Sequence, residues 1–303
     1  MKKFLLYLSS LIIVVITLLF LLDSMYTYAY NEGVPRNKIA HILAIKDTKI
    51  DYIFIGSSRV DNAIDPQIIQ SVTGNTSINL GIQGGKLDDS FFLLQLLTKQ
   101  NIKSKTIFIQ VDYVYNFLDN SEILKSTLMP YIHNDFFSSF IQQRDPDYWA
   151  LKNLPFYRYL RYDYKIGFRE FFNTSIGKKP HIDLQHGYSP NIGNGEDKMT
   201  LFLPDHILDQ NPSINAINSF AEKNNLKIIY FIAPLCSGTE NIEFVTKLRE
   251  KLPVLWDFST VLFNEEKHFY DCAHLNDFGA KEFSKILGEK IKEERSNIAF
   301  QEK

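Results

Sequence analysis

Short apolar runs recur along this chain, each followed by turn residues or a helix, the pattern of strands buried on both faces of a parallel sheet. They are Asp51-Tyr-Ile-Phe-Ile55 before Gly56-Ser57-Ser58-Arg59, Ser77-Ile-Asn-Leu-Gly81 before Gly84-Gly85, and Thr106-Ile-Phe-Ile-Gln-Val111. Two more occur at Leu226-Lys-Ile-Ile-Tyr-Phe-Ile-Ala233, closed by Pro234, and Pro253-Val-Leu-Trp-Asp-Phe258. Helical patterns lie between them. Asp65-Pro66 pairs a capping residue with proline at the first helical position, and residues 88–100 are amphipathic. From about Asp277 to Arg295, Phe283, Ile286, Leu287 and Ile291 share one face, and Lys281, Glu282, Lys285, Glu289 and Lys292 lie away from it. Strands alternating with helices predict an α/β fold, a doubly wound parallel sheet of about five strands. Ligands in such sheets bind beyond the carboxyl ends of the strands. The residues just after each strand are therefore where chemistry is expected.

The periodicity fails over residues 117–211. That stretch is rich in Tyr, Phe, Arg and turn residues, as in Pro155-Phe-Tyr-Arg-Tyr-Leu-Arg-Tyr162 and His186-Gly-Tyr-Ser-Pro190. It reads as a long, partly helical insertion on the ligand side of the sheet.

Ahead of the first strand, Lys2 and Lys3 precede an apolar run from Phe4 to Leu22, broken only by Ser9, Ser10 and Thr17. At about 1.5 Å per residue such a run nearly spans a hydrocarbon core of about 30 Å. No further Lys or Arg occurs until Arg36, so the positive-inside bias keeps the N-terminus cytoplasmic and exports the chain beyond the run. A cleavable signal peptide, with Thr27 and Ala29 before the cut, is the rival reading; its apolar region would exceed the usual length of roughly 7–15 residues. The expected organisation is a transmembrane anchor over 1–30 and an α/β domain over 31–303, its body periplasmic or extracellular.

Charge and cysteines narrow the function classes. The 303 residues carry 33 basic and 35 acidic side chains without a basic run, so no nucleic-acid partner is expected. Tyr (16) and Phe (24) are abundant, which suits both a packed core and a carbohydrate-facing surface. Cys236 and Cys272 form no zinc-like spacing with histidine; no metal and no cofactor are expected. In an exported body they form one disulfide or stay as two buried thiols.

Two segments at opposite ends of the chain carry candidate chemistry. Gly56-Ser57-Ser58-Arg59 comes directly after the first strand, where a serine on a tight strand-to-helix turn presents its hydroxyl beside backbone N–H groups; the plainer reading is a Gly-Ser turn that caps a helix. Asp271-Cys-Ala-His274-Leu-Asn276 precedes the last helix. A serine nucleophile needs a base, and the base needs an orienting carboxylate, which this spacing provides. The plainer reading is a helix start capped by Asn276, with His274 packing. Arg59 reads either as an anion-binding residue or as a solvated helix-start residue. Arg158, Arg161 and Arg169, interleaved with tyrosines, suit either sugar or phosphate recognition or a packing segment.

Taken together, these blocks resemble the SGNH hydrolase superfamily, also called the GDSL family, whose members are flavodoxin-like esterases and acyl-handling enzymes. Gly56-Ser57-Ser58 matches its first block, which implies Ser58 as nucleophile. Asn79-Leu-Gly81-Ile-Gln-Gly84 matches the second, which implies that Gly81 and Ser58 lend oxyanion-hole N–H groups. Asp271 and His274 match the last block, continued by Asn276 and Gly279. The resemblance covers roughly residues 50–115 and 225–295. Ser57 stands where the family has Asp, and the third block, Gly-x-Asn-Asp, is absent, because the third strand runs into Gln110-Val-Asp112-Tyr-Val-Tyr-Asn116. Asn116 is the remaining candidate for a side-chain oxyanion donor. The resemblance implies an esterase or O-acyl (acetyl) transferase acting on acylated glycan of the cell envelope or on exported polysaccharide. Its alternative is a non-catalytic relative that binds glycan or a membrane acyltransferase partner. A third reading is an unrelated flavodoxin-like binding protein, in which Ser58 and His274 lie apart.

Overall fold

The structure, a computed structural model, describes residues 1–193, 200–252 and 254–301. Pro253, expected to open the fifth strand, lies outside the described residues. The chain divides into two compact units, residues 1–44 with 122–181, and residues 45–121 with 182–303.

In the N-terminal unit, helix α1 (Lys2–Glu32) is long and apolar enough to cross a membrane. Its side chains are solvent-facing up to Phe20, but Tyr26, Ala29 and Tyr30 are buried. The change comes from the elements that pack there. Short helices at Glu122–Leu128, Asp135–Gln142, Tyr148–Asn153, Tyr157–Arg161, Asp163–Ile166 and Phe168–Ser175 follow in this unit, most of them bearing aromatic residues. Tyr26 stacks on Phe171 with ring centres 4.0 Å apart, and Arg158 donates to Asp23 Oδ1 at 2.6 Å and to Thr27 Oγ1 at 2.9 Å. The guanidinium of Arg158 is thereby a packing and pairing element, buried at the side of α1.

The second unit holds the sheet. Strands β1 (Tyr52–Ile55), β2 (Ser77–Asn79), β3 (Thr106–Gln110), β4 (Ile228–Ile232) and β5 (Leu255–Asp257) lie in the order β2-β1-β3-β4-β5, every neighbour parallel. This is the flavodoxin-like order, whose switch point falls between β1 and β3. Alternation along each strand sends Tyr52, Phe54, Phe108, Ile229 and Phe231 into one core with Val60, Phe258, Phe283, Leu287 and Ile291. The intervening Ile53, Ile55, Ile107, Ile109 and Ile232 are buried as well. Both faces are covered, which is why the strand sequences show unbroken apolar runs. Over the first core, helix α2 (Pro66–Thr73) lies against the terminal helix, and on the other side α3 (Leu87–Lys99) packs with α4 (Pro212–Lys223). Helix α2 starts as its sequence predicts, with Asp65 accepting the Gln67 N–H, and Gly74 ends it at φ 67°. Helix α5 (Asp277–Gln301) extends about a turn and a half beyond the predicted end.

Candidate active site

Strand β1 ends at Ile55, and Ser58 opens the one-turn helix Ser58–Asp61 at its carboxyl end. Ser57 caps that turn, its hydroxyl accepting the Arg59 N–H at 3.2 Å. The second contribution comes from a hairpin, Phe269–Asp271 paired antiparallel with His274–Leu275, in which Asp271 lies opposite His274. The two pieces meet. The Ser58 hydroxyl lies 2.8 Å from His274 Nε2, and His274 Nδ1 lies 2.9 and 3.0 Å from the two oxygens of Asp271. With the proton on Nδ1, the imidazole donates to Asp271 and Nε2 accepts from the serine hydroxyl. Asp271 Oδ1 also accepts the N–H groups of Ala273 and His274, each at 2.8 Å. Burial pushes the Asp271 carboxyl up, but the hydrogen bond and electrostatic attraction of the His274 imidazole, together with those two N–H groups, outweigh burial and hold it below the usual carboxylate range. It is therefore ionised at neutral pH. The plainer reading of Asn276 holds at the same time: its Oδ1 accepts the Gly279 N–H at 2.9 Å, which caps α5.

The loop after β2 is fitted to the serine turn by Asn79. Its buried amide donates to the carbonyls of Val60 and Ile64, each at 2.7 Å, and its Oδ1 accepts the Gly81 N–H at 2.9 Å. Gly81 approaches so closely that a Cβ there would stand 2.9 Å from the Ser57 carbonyl oxygen and run into the backbone of Asp61. The structure thus brings Gly81 against the turn that carries Ser58, with its N–H given to Asn79. Asn116 is engaged elsewhere, donating to the His206 carbonyl at 2.6 Å and accepting the Leu208 N–H at 3.0 Å.

After β3 stands a polar network that sequence reasoning did not find. Gln110 Oε1 accepts both the N–H (2.9 Å) and the hydroxyl (2.8 Å) of Ser57, and its amide donates to Asp112 Oδ2 at 2.6 Å. Arg59, read from sequence as a solvated or anion-binding residue, is instead only 1% exposed. Its Nε lies 2.6 Å from Asp112 Oδ2, close enough for an ion pair although the N–H is not aligned for a hydrogen bond. Its remaining nitrogens donate to the carbonyls of Ala233 (2.8 Å), Pro234 (2.9 Å) and Ala273. One guanidinium therefore ties together the loops after β1, β3 and β4 and the turn before His274. A signal was present in the sequence: Gln110 and Asp112 are polar residues at the very end of a buried strand. Next to them, Tyr113 has its phenol pushed up to about 12, by burial first and then by the charges of Asp112 and Asp271, so it stays protonated at neutral pH.

Cys236, after β4, is bonded to Cys272, the neighbour of Asp271, with Cα atoms 5.1 Å apart. The disulfide borders a cavity of about 250 Å³ whose walls include Ser237, Gly238, Tyr270 and Asp271. Among the described residues no group of three or more His, Cys, Asp or Glu is placed to hold a metal ion.

No protein-family model matches the chain, and no curated protein matches it. Among solved structures it is similar, in fold alone, to one from Desulfitobacterium hafniense whose name places it in the G-D-S-L family of lipolytic proteins, at 13% identity and a TM-score of 0.37, over 80% of this chain and 98% of that one.

Proposed function

We propose that this protein is a serine esterase or O-acyl transferase of SGNH type, with Ser58 as nucleophile, His274 as general base and Asp271 as its orienting carboxylate. The observation that carries the reading is the line of contacts from the Ser58 hydroxyl to His274 Nε2 at 2.8 Å and from Nδ1 to Asp271 at 2.9 Å. Base and nucleophile within hydrogen-bond reach are what acyl transfer requires. Ser58 Oγ attacks the acyl carbon while His274 Nε2 takes the hydroxyl proton. The same proton is then given to the departing alcohol, which leaves an acyl-serine. Water or an acceptor hydroxyl, deprotonated by His274, releases the acyl group.

The first oxyanion donor in this proposal is the N–H of Ser58, which has no intrahelical acceptor at the start of its turn. Gly81 joins it only by releasing Asn79 Oδ1, and Asn116 only by giving up His206 and Leu208. The substrate is an O-acyl, above all O-acetyl, group on envelope or exported glycan. Helix α1 serves as the membrane anchor of residues 1–30, N-terminus inward, with residues 31–303 outside. The assay is turnover of p-nitrophenyl acetate and of O-acetylated glycans by the full chain in detergent. Ser58→Ala lowers turnover by about 10³-fold or more, and Asp271→Asn by about 10²–10⁴-fold. Turnover unchanged in Ser58→Ala sinks the proposal.

One observation favours a second reading, a non-catalytic module that binds glycan or a membrane acyltransferase. Both further donors are occupied within the fold, and loss of one donor costs about 10²–10³ in rate. Glycan binding by wild-type protein without any turnover is the result that selects it.

A further inference from the structure

The second half of α1 fixes the height of the N-terminal unit relative to any bilayer that the helix crosses. The apolar run Phe4–Leu22 covers about 28 Å at 1.5 Å per residue, close to the roughly 30 Å of a hydrocarbon core. Asp23 then stands at its edge, and Tyr26 about 4.5 Å further out, within a headgroup layer of about 5–7 Å. Asp23 is the residue on which the 154–160 segment is seated: Asp23 Oδ2 accepts the Phe156 N–H at 2.8 Å, and Asp23 Oδ1 takes the Arg158 guanidinium. The helix Phe168–Ser175 runs in the same sense as α1, because Phe171 stacks on Tyr26 whereas Thr174 lies beside Gly33. Phe168, about 4.5 Å before Phe171 along that helix, falls back toward the level of Asp23.

At this height the unit exposes large apolar side chains. Leu160 is 62% and Phe168 68% exposed, and Leu154, two residues before the Phe156 that Asp23 holds, is exposed as well. Arg161 and Arg169, each next to one of these residues in the chain, are exposed too. Apolar tips with adjacent guanidinium groups suit the zone where acyl chains meet phosphates, since long basic side chains reach to the headgroups while the apolar ones sink.

We infer that the N-terminal unit lies on the bilayer surface, with Leu154, Leu160 and Phe168 in the lipid headgroup zone and Arg161 and Arg169 on the lipid phosphates. The inference rests on the reading of α1 as a membrane anchor. Its consequence is that residues 122–181 form a collar at the point where the chain leaves the membrane.

The test places one tryptophan as a depth probe in the full chain. In a Trp149→Phe, Trp256→Phe background, Leu160→Trp and, separately, Phe168→Trp are reconstituted in vesicles of phosphatidylcholine with phosphatidylglycerol. Lipids brominated high on the acyl chain are compared with unbrominated ones. The expected result is a blue-shifted emission that loses most of its intensity to the shallow bromines. A water-like emission that bromines leave unchanged overturns the inference. A blue shift without quenching overturns it as well, since protein rather than lipid then covers the patch. Protein that washes off the vesicles in alkaline carbonate overturns both the anchor reading and this one, whereas retained but unquenched protein overturns only the second. Both probe positions are exposed, and a melting temperature equal to that of the background protein shows that the fold is intact.

Discussion

Asp112→Ala removes the carboxylate paired with the buried Arg59, and its effect on stability can be worked from the contacts. Arg59 and Asp112 are 1% and 2% exposed as side chains, so the guanidinium left behind cannot be hydrated without opening the loops around it. Its bonds to the carbonyls of Ala233, Pro234 and Ala273 survive, and they are dipoles, not a countercharge. Removing one partner of a buried ion pair costs about 3–5 kcal/mol. For a unit of this size each kcal/mol lowers the melting temperature by about 2–4 °C, so a drop on the order of 10 °C is expected. The measurement is thermal unfolding of the full chain in detergent, monitored by near-ultraviolet circular dichroism. The double variant Arg59→Met, Asp112→Leu recovers part of the loss, because it buries no charge, although the carbonyls of Ala233, Pro234 and Ala273 lose their donor. Two results refute the reasoning: a melting temperature within about 2 °C of wild type for Asp112→Ala, corresponding to roughly 1 kcal/mol, or a double variant less stable than the single one.

Two further outcomes are expected from other buried groups. Asp89 is almost fully buried and its carboxyl is pushed up to about 7, by burial first, against the N–H groups of Ser121 and Lys86 that it accepts. Its folded value lies above the unfolded 3.8, so its neutral form is favoured by folding; stability falls as pH rises from about 4 to about 7 and levels off above. Asp89→Asn removes that slope in urea unfolding at a series of pH values, and an unchanged slope refutes the assignment. Reducing the Cys236–Cys272 bond, which closes a loop of separation 36, costs about 4 kcal/mol in the chain-entropy account. Melting with and without dithiothreitol measures it, and equal melting temperatures refute it.

The elements of the sheet were legible because the strands are short, mostly apolar and punctuated by turn residues. The meeting of Ser58 with His274 was legible for a different reason: both come after strand ends, and the topology brings those ends to one edge. Arg59 was not. An arginine one residue after a Gly-Ser turn reads as a surface residue, and only the carbonyls of two distant loops, together with Asp112, make its burial tolerable. Gly81 shows a related limit: its place against the serine turn is implied by the motif, while the direction of its N–H depends on the side chain of Asn79, two residues earlier. Phe171 and Tyr159 read as part of an insertion because their partner, Tyr26, belongs to a segment whose hydrophobicity is dominated by its apolar first half.

Asn276 holds the start of α5 through Gly279 and, through its amide, the Lys267 carbonyl at 2.8 Å. The imidazole thus stands three residues ahead of a rod seated by Phe283, Leu287 and Ile291. The support of His274 therefore reaches well down this helix: trimming it back through Leu287 removes two of the side chains that seat it, Leu287 and Ile291, and loosens the loop that carries the imidazole.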